Sequence, residues 1–524
     1  MPLELGDLVD LRMLPQFIVG SSGSSIGDLR NLSHLQESLW ISRLENVTSS
    51  WDARRANLQE KKGLNQLVFE WSTISEEFLE EKVATKVFEM LQPNLKLKTV
   101  KIKNYHDKMF PSWVGDPTFS KLISLTLSDC KRCVFLPPAG QLPSLKELHI
   151  KGVLGIKSIG AEFYGLERLK MFLNDCKELQ QLPQHVEYVE LDCFQSLERL
   201  PLDFRKLGSL GELVITDCPK LESISVTIFP SNLKGLILRG CGLESLPEDM
   251  INNISSLEFL YISGYLVLTS FPRNNQALIP TTFKQLTVDH CPNIEFLPEG
   301  MMQCSNIFLE LLEIFYCASI PSFPGGHPKT LKTLTIWNCS NLESLADVIK
   351  ETMSLKSLRI GNCTKLKYLP SGLHTLIYLD YLELDGCPSV ESFPKKGLPS
   401  TSLKKMHIFN CENLKFLAKR MQNLTSLNEL RLSNCPTIAS FPEDGIPINL
   451  VSLHIKDCEN IKPCSEWGLH RLTLLKMLSF HGCCLNTDTF PEWLLPSTLE
   501  TLHIAKQTCE NDWSSIDHIP CIVM

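Results

Sequence analysis

Sulfur and imidazole are the first groups to weigh, because they carry nucleophilic, redox and metal chemistry. The chain has 20 cysteines and 13 histidines, enough for any of these. Cys130-Lys-Arg-Cys133 has the spacing of a zinc or redox pair, but a structural zinc site takes four ligands and no second pair accompanies it. Cys483-Cys484 is one member of a regular cysteine series with a neighbour, and the histidines are scattered. No GxxxxGK-S/T phosphate loop, HExxH or GxSxG is present. No catalytic, cofactor-binding or metal-ligating residue is therefore assigned, and an enzyme is not expected.

The cysteines instead report a frame. Leu355-Lys-Ser-Leu358-Arg-Ile360-Gly-Asn-Cys363 is followed by four copies of the same pattern, ending at Cys387, Cys411, Cys435 and Cys458, with steps of 24, 24, 24 and 23 residues. LxxLxIxxC is the leucine-rich-repeat signature in its cysteine form. Alternation of apolar and variable residues inside each copy is the period of a β-strand. A strand this short cannot bury its apolar side alone, so the coils must stack and share one continuous core. The expected fold is an α/β solenoid, a right-handed leucine-rich-repeat horseshoe with a concave parallel β-sheet and a mostly irregular convex side. The repeated cysteines read as small buried apolar groups whose S–H satisfies a carbonyl at the strand exit, and redox sensing would need exposed, low-pKa thiolates.

Strands are expected around Leu39–Val47 and Leu64–Trp71, then around Val100, Leu125, Leu148, Met171, Val189, Leu213, Leu236, Leu260, Leu286, Leu312 and Leu334, through the five copies, and finally around Leu478 and Leu502. The spacing gives three segments: 1–95, irregular coils with an inserted helix near 76–91; 96–507, a regular array of about 23–25 residues per coil; and 508–524, a C-terminal cap. The helix carries Phe78, Leu79, Val83, Val87, Phe88 and Leu91 at helical spacing, and such a stripe is expected to pack inward. The coil between Met171 and Val189 is short, and Val153, Phe194 and Tyr265 stand where other coils have Cys.

If the leucines point inward, the residues between them line up in columns on the concave side, about 4.8 Å apart. One column reads Glu313, Thr335, Arg359, Glu383, His407, Arg431, His454, Ser479, His503, and the next Phe315, Trp337, Gly361, Asp385, Phe409, Ser433, Lys456, His481. Core positions repeat one residue type, and these do not. Aromatic residues with Arg and His resemble the make-up of protein-binding hot spots. The candidate protein-binding residues are Glu313, Phe315, Tyr316, Trp337, Arg359, Glu383, Asp385, His407, Phe409, Arg431, His454 and Lys456.

The net charge of −8 and the lack of a basic cluster argue against nucleic acid as a partner. No run of 18 apolar residues occurs, and the first residues lack the basic flank and apolar stretch of a secretion signal. A reducing, cytoplasmic setting with free thiols is expected.

Specific strings narrow the family. Ile41-Ser-Arg-Leu-Glu-Asn-Val47, Leu67-Val-Phe-Glu-Trp71, Phe110-Pro-Ser-Trp113, Leu136-Pro-Pro-Ala-Gly-Gln-Leu-Pro-Ser-Leu145, Ile159-Gly-Ala-Glu-Phe-Tyr-Gly165 and the ending Asp517-His518-Ile519-Pro520 resemble the leucine-rich-repeat region of plant coiled-coil NB-LRR (CC-NB-ARC-LRR) disease-resistance receptors. The resemblance implies an intracellular immune receptor that recognises a pathogen effector or a guarded host protein, in the cytoplasm, the nucleus or at the periphery of the plasma membrane. It also implies intramolecular contact with NB-ARC and coiled-coil domains, and ADP/ATP bound there. None of those nucleotide motifs is in this sequence, so no cofactor residue is carried over and a fragment or a product with repeats alone is expected. The alternative is a stand-alone adaptor, decoy or substrate-recruiting subunit of a ubiquitin ligase.

Overall fold

Short alternating runs such as Ser357-Leu-Arg-Ile-Gly361 bury their leucine and isoleucine on one side and leave the residues between on the other, the geometry a half-buried strand requires. In the computed structural model the described residues are 5–21, 23–73, 81–159, 166, 169–176, 179, 181–195, 197–200, 203–225, 228–246, 254–271, 280–297, 308–323, 329–345, 354–438, 441, 445–461, 469–482 and 495–505. The cap at 508–524, Cys483-Cys484, the first part of the helix expected at 76–91 and most of Ile159–Gly165 lie outside them.

The chain divides into two compact units, Met1–Leu243 with Asn253–Leu257, and Glu244–Asn252 with Glu258–Met524. In the first, the strands are β1 (Gln16–Ile18), β2 (Gln36–Ser42), β3 (Gly63–Glu70), β4 (Thr99–Lys103), β5 (Ser124–Ser128), β6 (Glu147–Lys151), β7 (Leu169–Asn174), β8 (Val186–Asp192), β9 (Glu212–Thr216) and β10 (Gly235–Arg239). Each pairs in parallel with the next. The short coil leaves its mark as a register shift at Leu169/Lys170 between β7 and β8. Val153, Phe194 and Tyr265, the residues standing in for Cys, are buried like the thiols they replace.

Helix α1 (Ser50–Arg55) and helix α2 (Glu81–Glu89) decorate the first unit. Val87, Phe88 and Leu91 are buried. The Phe88 ring meets Phe69 at 5.0 Å, Trp71 at 4.9 Å, Tyr105 at 5.2 Å and Trp113 at 5.3 Å, edge-on or tilted as aromatic quadrupoles prefer. The described part of the apolar stripe, Val87, Phe88 and Leu91, thus packs inward, and Phe88 ties the helix to the neighbouring coils.

The second unit carries β11 (Phe259–Ser263), β12 (Gln285–Asp289), β13 (Leu311–Phe315), β14 (Thr333–Trp337), β15 (Ser357–Gly361), β16 (Tyr381–Asp385), β17 (Lys405–Phe409), β18 (Glu429–Ser433), β19 (Ser452–Lys456), β20 (Met477–His481) and β21 (Thr501–Ala505). All successive pairs are parallel and none shows a register shift. Leu358, Ile360, Leu382, Leu384, Met406, Ile408, Leu430 and Leu432 form the shared core.

Each coil turns at the residue before its cysteine. Asn362, Asn410, Asn434 and Asp457 take φ of 51°, 52°, 50° and 49°, and Gly386 and Gly482 fill the same slot. This left-handed region favours Gly and the short polar residues that bond locally. The cysteine that follows donates its S–H to the carbonyl two residues back, at 3.3 Å from Cys363, 3.2 Å from Cys411 and 3.2 Å from Cys435, as expected for a thiol at the strand exit. Cys411 and Cys435 also reach the previous coil, at Leu384 O (4.0 Å) and Ile408 O (3.9 Å).

Candidate protein-binding face

The in-register ladder of the second unit turns the two residue columns into physical rows. Glu313, Thr335, Arg359, Glu383, His407, Arg431, His454 and Ser479 are successive partners, as are Phe315, Trp337, Gly361, Asp385, Phe409, Ser433, Lys456 and His481. Every expected site residue except Tyr316 lies on one of these rows. Tyr316 is one residue past β13, in the left-handed slot at φ 53°.

Burial refines the expectation. Tyr316 is exposed, but Phe315, Trp337 and Phe409 are half-buried, because a side chain at a sheet's centre is walled by its row neighbours. Gly361 makes room for Trp337: a Cβ at Gly361 would overlap the indole. The Arg359 guanidinium lies 5.8 Å from the Trp337 ring centroid, within cation–π reach.

From Arg359 a polar chain crosses four strands. Arg359 Nε donates to Glu383 Oε2 at 2.5 Å, and Glu383, only 7% exposed, also accepts from Tyr381 Oη at 3.1 Å. Tyr381 Oη is 3.2 Å from His407 Nδ1, and His407 Nε2 is 3.2 Å from Glu429 Oε1. Glu429 then accepts from Arg431 Nε at 2.6 Å and pairs with Lys405 Nζ at 3.1 Å. Asp385 Oδ1 accepts from Asn410 Nδ2 at 2.7 Å, and Asn410 Oδ1 in turn from Asn434 Nδ2 at 2.9 Å.

Burial and these partners set the charges. Burial pushes the Tyr381 hydroxyl up to about 12, with Glu383 adding to it, so it stays a neutral donor. Burial lowers the His407 imidazole, and Arg431 acts in the same direction against the pull of Glu429. Burial works to raise the Glu429 carboxyl, but Lys405, Arg431 and His407 outweigh it and hold the group below its usual range. Burial raises the Asp385 carboxyl. His454, bonded to Ser452 Oγ at 2.7 Å, is lowered to about 4 by burial, with Arg431 next in effect.

Tyr381, Lys405 and Glu429 were not among the expected residues. They occupy a third row, two residues before the first, and strand alternation could have found them, since Tyr381, Glu383 and Asp385 share parity. The resulting surface is a strip of mutually fixed charges bordered by aromatic rings at Trp337 and Phe409. Side chains held in this way lose little rotamer freedom when a partner arrives.

A second feature flanks it. His290 and Tyr316 occupy consecutive left-handed slots, at φ 48° and 53°, and their rings stack at 4.2 Å. Among the described residues the groups that could together hold a metal ion are Asp192, Cys193 and Asp217, which belong to the first unit.

Residues 26–153 match the family model described as R13L1/DRL21 LRRs. Putative disease resistance RPP13-like protein 1 from Arabidopsis thaliana is 31% identical over 320 residues, covering 54% of this chain and 30% of that protein. Another putative disease resistance protein of Arabidopsis thaliana is 27% identical over 680 residues, 95% of this chain and 48% of its own length. Disease resistance protein RGA2 from Solanum bulbocastanum is 30% identical over 285 residues, 51% of this chain and 27% of that protein. The chain thus spans 27% to 48% of the length of these relatives. Among solved structures, the TLR13–ssRNA13 complex superposes with a TM-score of 0.53 at 19% identity, over 91% of this chain and 65% of that one, a likeness in fold alone. Repeat pattern, family model and relatives agree that the chain is a leucine-rich-repeat region of the kind found in plant disease resistance proteins.

Proposed function

We propose that this chain is the protein-recognition module of an intracellular plant immune receptor, acting in the cytoplasm. In this reading the open strand face from Glu313 to Lys456 senses a pathogen effector or a host protein that an effector has modified. Other surfaces of the repeats restrain a nucleotide-switch domain that binds ADP or ATP. The observation that supports it is the contrast between rows: core positions repeat Leu and Ile, while the open rows vary from coil to coil on the same frame. Such a frame presents a chosen surface without chemistry of its own, so an interaction module is proposed and not an enzyme. Residues 1–95 serve as the irregular entry to the regular coils that follow.

Trp337 and Phe409 test the reading. The tagged chain and its Trp337→Ala/Phe409→Ala variant are expressed in leaf cells together with pathogen effectors, and associated proteins are compared. The expected result is an effector or host partner held by the parent chain and lost by the variant, with unchanged circular dichroism and melting. Equal capture by both chains removes this face as the recognition site, and association with ubiquitin-ligase subunits alone favours the adaptor reading.

A further inference from the structure

Beyond the strand face, the return segments that follow each cysteine form a second, thinner ladder. The N–H of Glu343 donates to Pro321 O, that of Lys367 to Glu343 O and that of Lys415 to Glu391 O, each at 3.0 Å. Isolated parallel bridges join Ser322 to Ser344, Ser344 to Tyr368, and Ser392 to Phe416. Among the described residues the ladder is interrupted between Tyr368 and Ser392, and no bond links the Glu391 N–H to the Lys367 carbonyl. At an earlier interruption, between Phe296 and Ser322, the donor position is Pro321, which has no N–H to offer. Glu391 has one, so a donor and an acceptor stand unused in the same gap.

A groove of about 920 Å³ opens there, lined by residues of both return segments, among them Lys367, Tyr368, Glu391, Ser392, Lys395 and Lys396. All three lysines are exposed, and none of them forms an ion pair among the described residues. The carboxylate among its described lining residues, Glu391, is already engaged by Lys415 Nζ at 2.9 Å. Tyr368 presents its ring at 65% exposure. The groove is therefore locally cationic on a chain whose net charge is −8, with an apolar plate beside its cations and an unused backbone donor and acceptor.

We propose that this groove binds an extended acidic peptide segment of a partner protein. Carboxylates of the segment face Lys367, Lys395 and Lys396, an apolar side chain covers Tyr368, and the peptide backbone takes up the Glu391 N–H and the Lys367 carbonyl. Backbone pairing along an interrupted ladder gives affinity, and flanking side chains give specificity. A lone anion such as phosphate would fill a small part of the volume and has no use for an apolar ring. This surface is separate from the strand rows, so its failure leaves the reading of those rows untouched.

The probe is a dye-labelled hexapeptide alternating glutamate and leucine, titrated against the full chain by fluorescence anisotropy. Its lysine–leucine counterpart and a backbone N-methylated version serve as controls. Saturable binding of the acidic peptide is expected, weakening as salt screens the charges. The Lys395→Glu/Lys396→Glu variant should bind at least about tenfold more weakly with its melting curve unchanged. Tyr368→Ala and the N-methylated peptide should each weaken binding as well. Equal binding of the lysine peptide, indifference to the charge reversal, or displacement by equimolar inorganic phosphate would overturn the proposal. So would a dimer of the chain that disappears in the charge-reversed variant while the peptide fails to bind.

Discussion

His454 is neutral in the folded chain over a range where an ordinary histidine is charged. Its folded-state value is lowered to about 4, first by burial and then by Arg431, with Glu429 opposing and His481 and His503 adding to the depression. The unfolded chain binds the proton near the usual 6.5, so between about 6.5 and 4 unfolding takes up a proton and stability falls as pH falls. His407 and His481 are shifted in the same direction. We expect the melting temperature to decline from pH 7 toward pH 4, and His454→Gln to flatten part of that decline; an identical slope in the variant would place the dependence elsewhere. Gly361→Ala addresses the row beside it. A Cβ there overlaps the Trp337 indole, so the substitution should displace the ring and weaken partner capture as Trp337→Ala does, although neither residue is a core leucine. The places of these residues were legible in the sequence, because strand parity dictates which side chains face out. Their partners were not: Arg359 meets Glu383, and His407 meets Glu429, across 24 and 22 residues of chain, and no local pattern records which outward groups touch.

At the scale of the coil, two positions do most of the specifying. The inward leucines hold the stack, and Leu382, 3% exposed, is walled by Leu358 and Met406 in the strands on either side. Leu382→Ala should cost about 2–5 kcal/mol through transfer and cavity terms, read as a shift in the urea midpoint without loss of parallel-strand signal. The left-handed slot before each cysteine is the second. Asn434 sits there at φ 50° and donates to Asn410 Oδ1. Asn434→Val puts a β-branched residue where L side chains are strained and removes that bond, a combined cost of about 2 kcal/mol; a midpoint equal to that of the parent would show that the turn relaxes. From β3 on, the strand positions and the short coil at Met171–Val189 could be read directly, since each strand announces itself by alternation; the strand expected over Leu39–Val47 instead ends at Ser42, and Leu44–Asn46 turns as a 3-10 helix after the left-handed Arg43. The turn's handedness could have been read from the Asn, Asp or Gly that precedes most of the cysteines at the repeat position, yet that signal was masked by His290 and Tyr316, which occupy the slot at a steric cost and stack on one another.

The whole molecule depends on repetition, and repetition also governs its sulfur chemistry. The described cysteines are all free thiols, and apart from Cys193 all are buried. Burial pushes Cys176 up to about 12 and Cys291 up to about 11, far from the thiolate that reacts. Cys193 is raised too, by burial and then by the Asp192 carboxylate, but it alone of this set is half-exposed, because Phe194 has taken the buried place that Cys fills in other coils. That substitution was visible in the sequence as a break in the cysteine series. Its consequence needed the strand exit in three dimensions, where the position before the buried residue points outward. The division into two units, which falls between Leu243 and Glu258, left no linker in the sequence because the coil spacing runs on through it. We expect iodoacetamide, followed by peptide mapping of the native chain, to label Cys193 ahead of Cys363, Cys387, Cys411 and Cys435. The order should vanish in denaturant, where burial no longer separates the thiols. Rapid native labelling at Cys411 or Cys435 would mean that the stack opens between neighbouring coils far more often than a shared core allows.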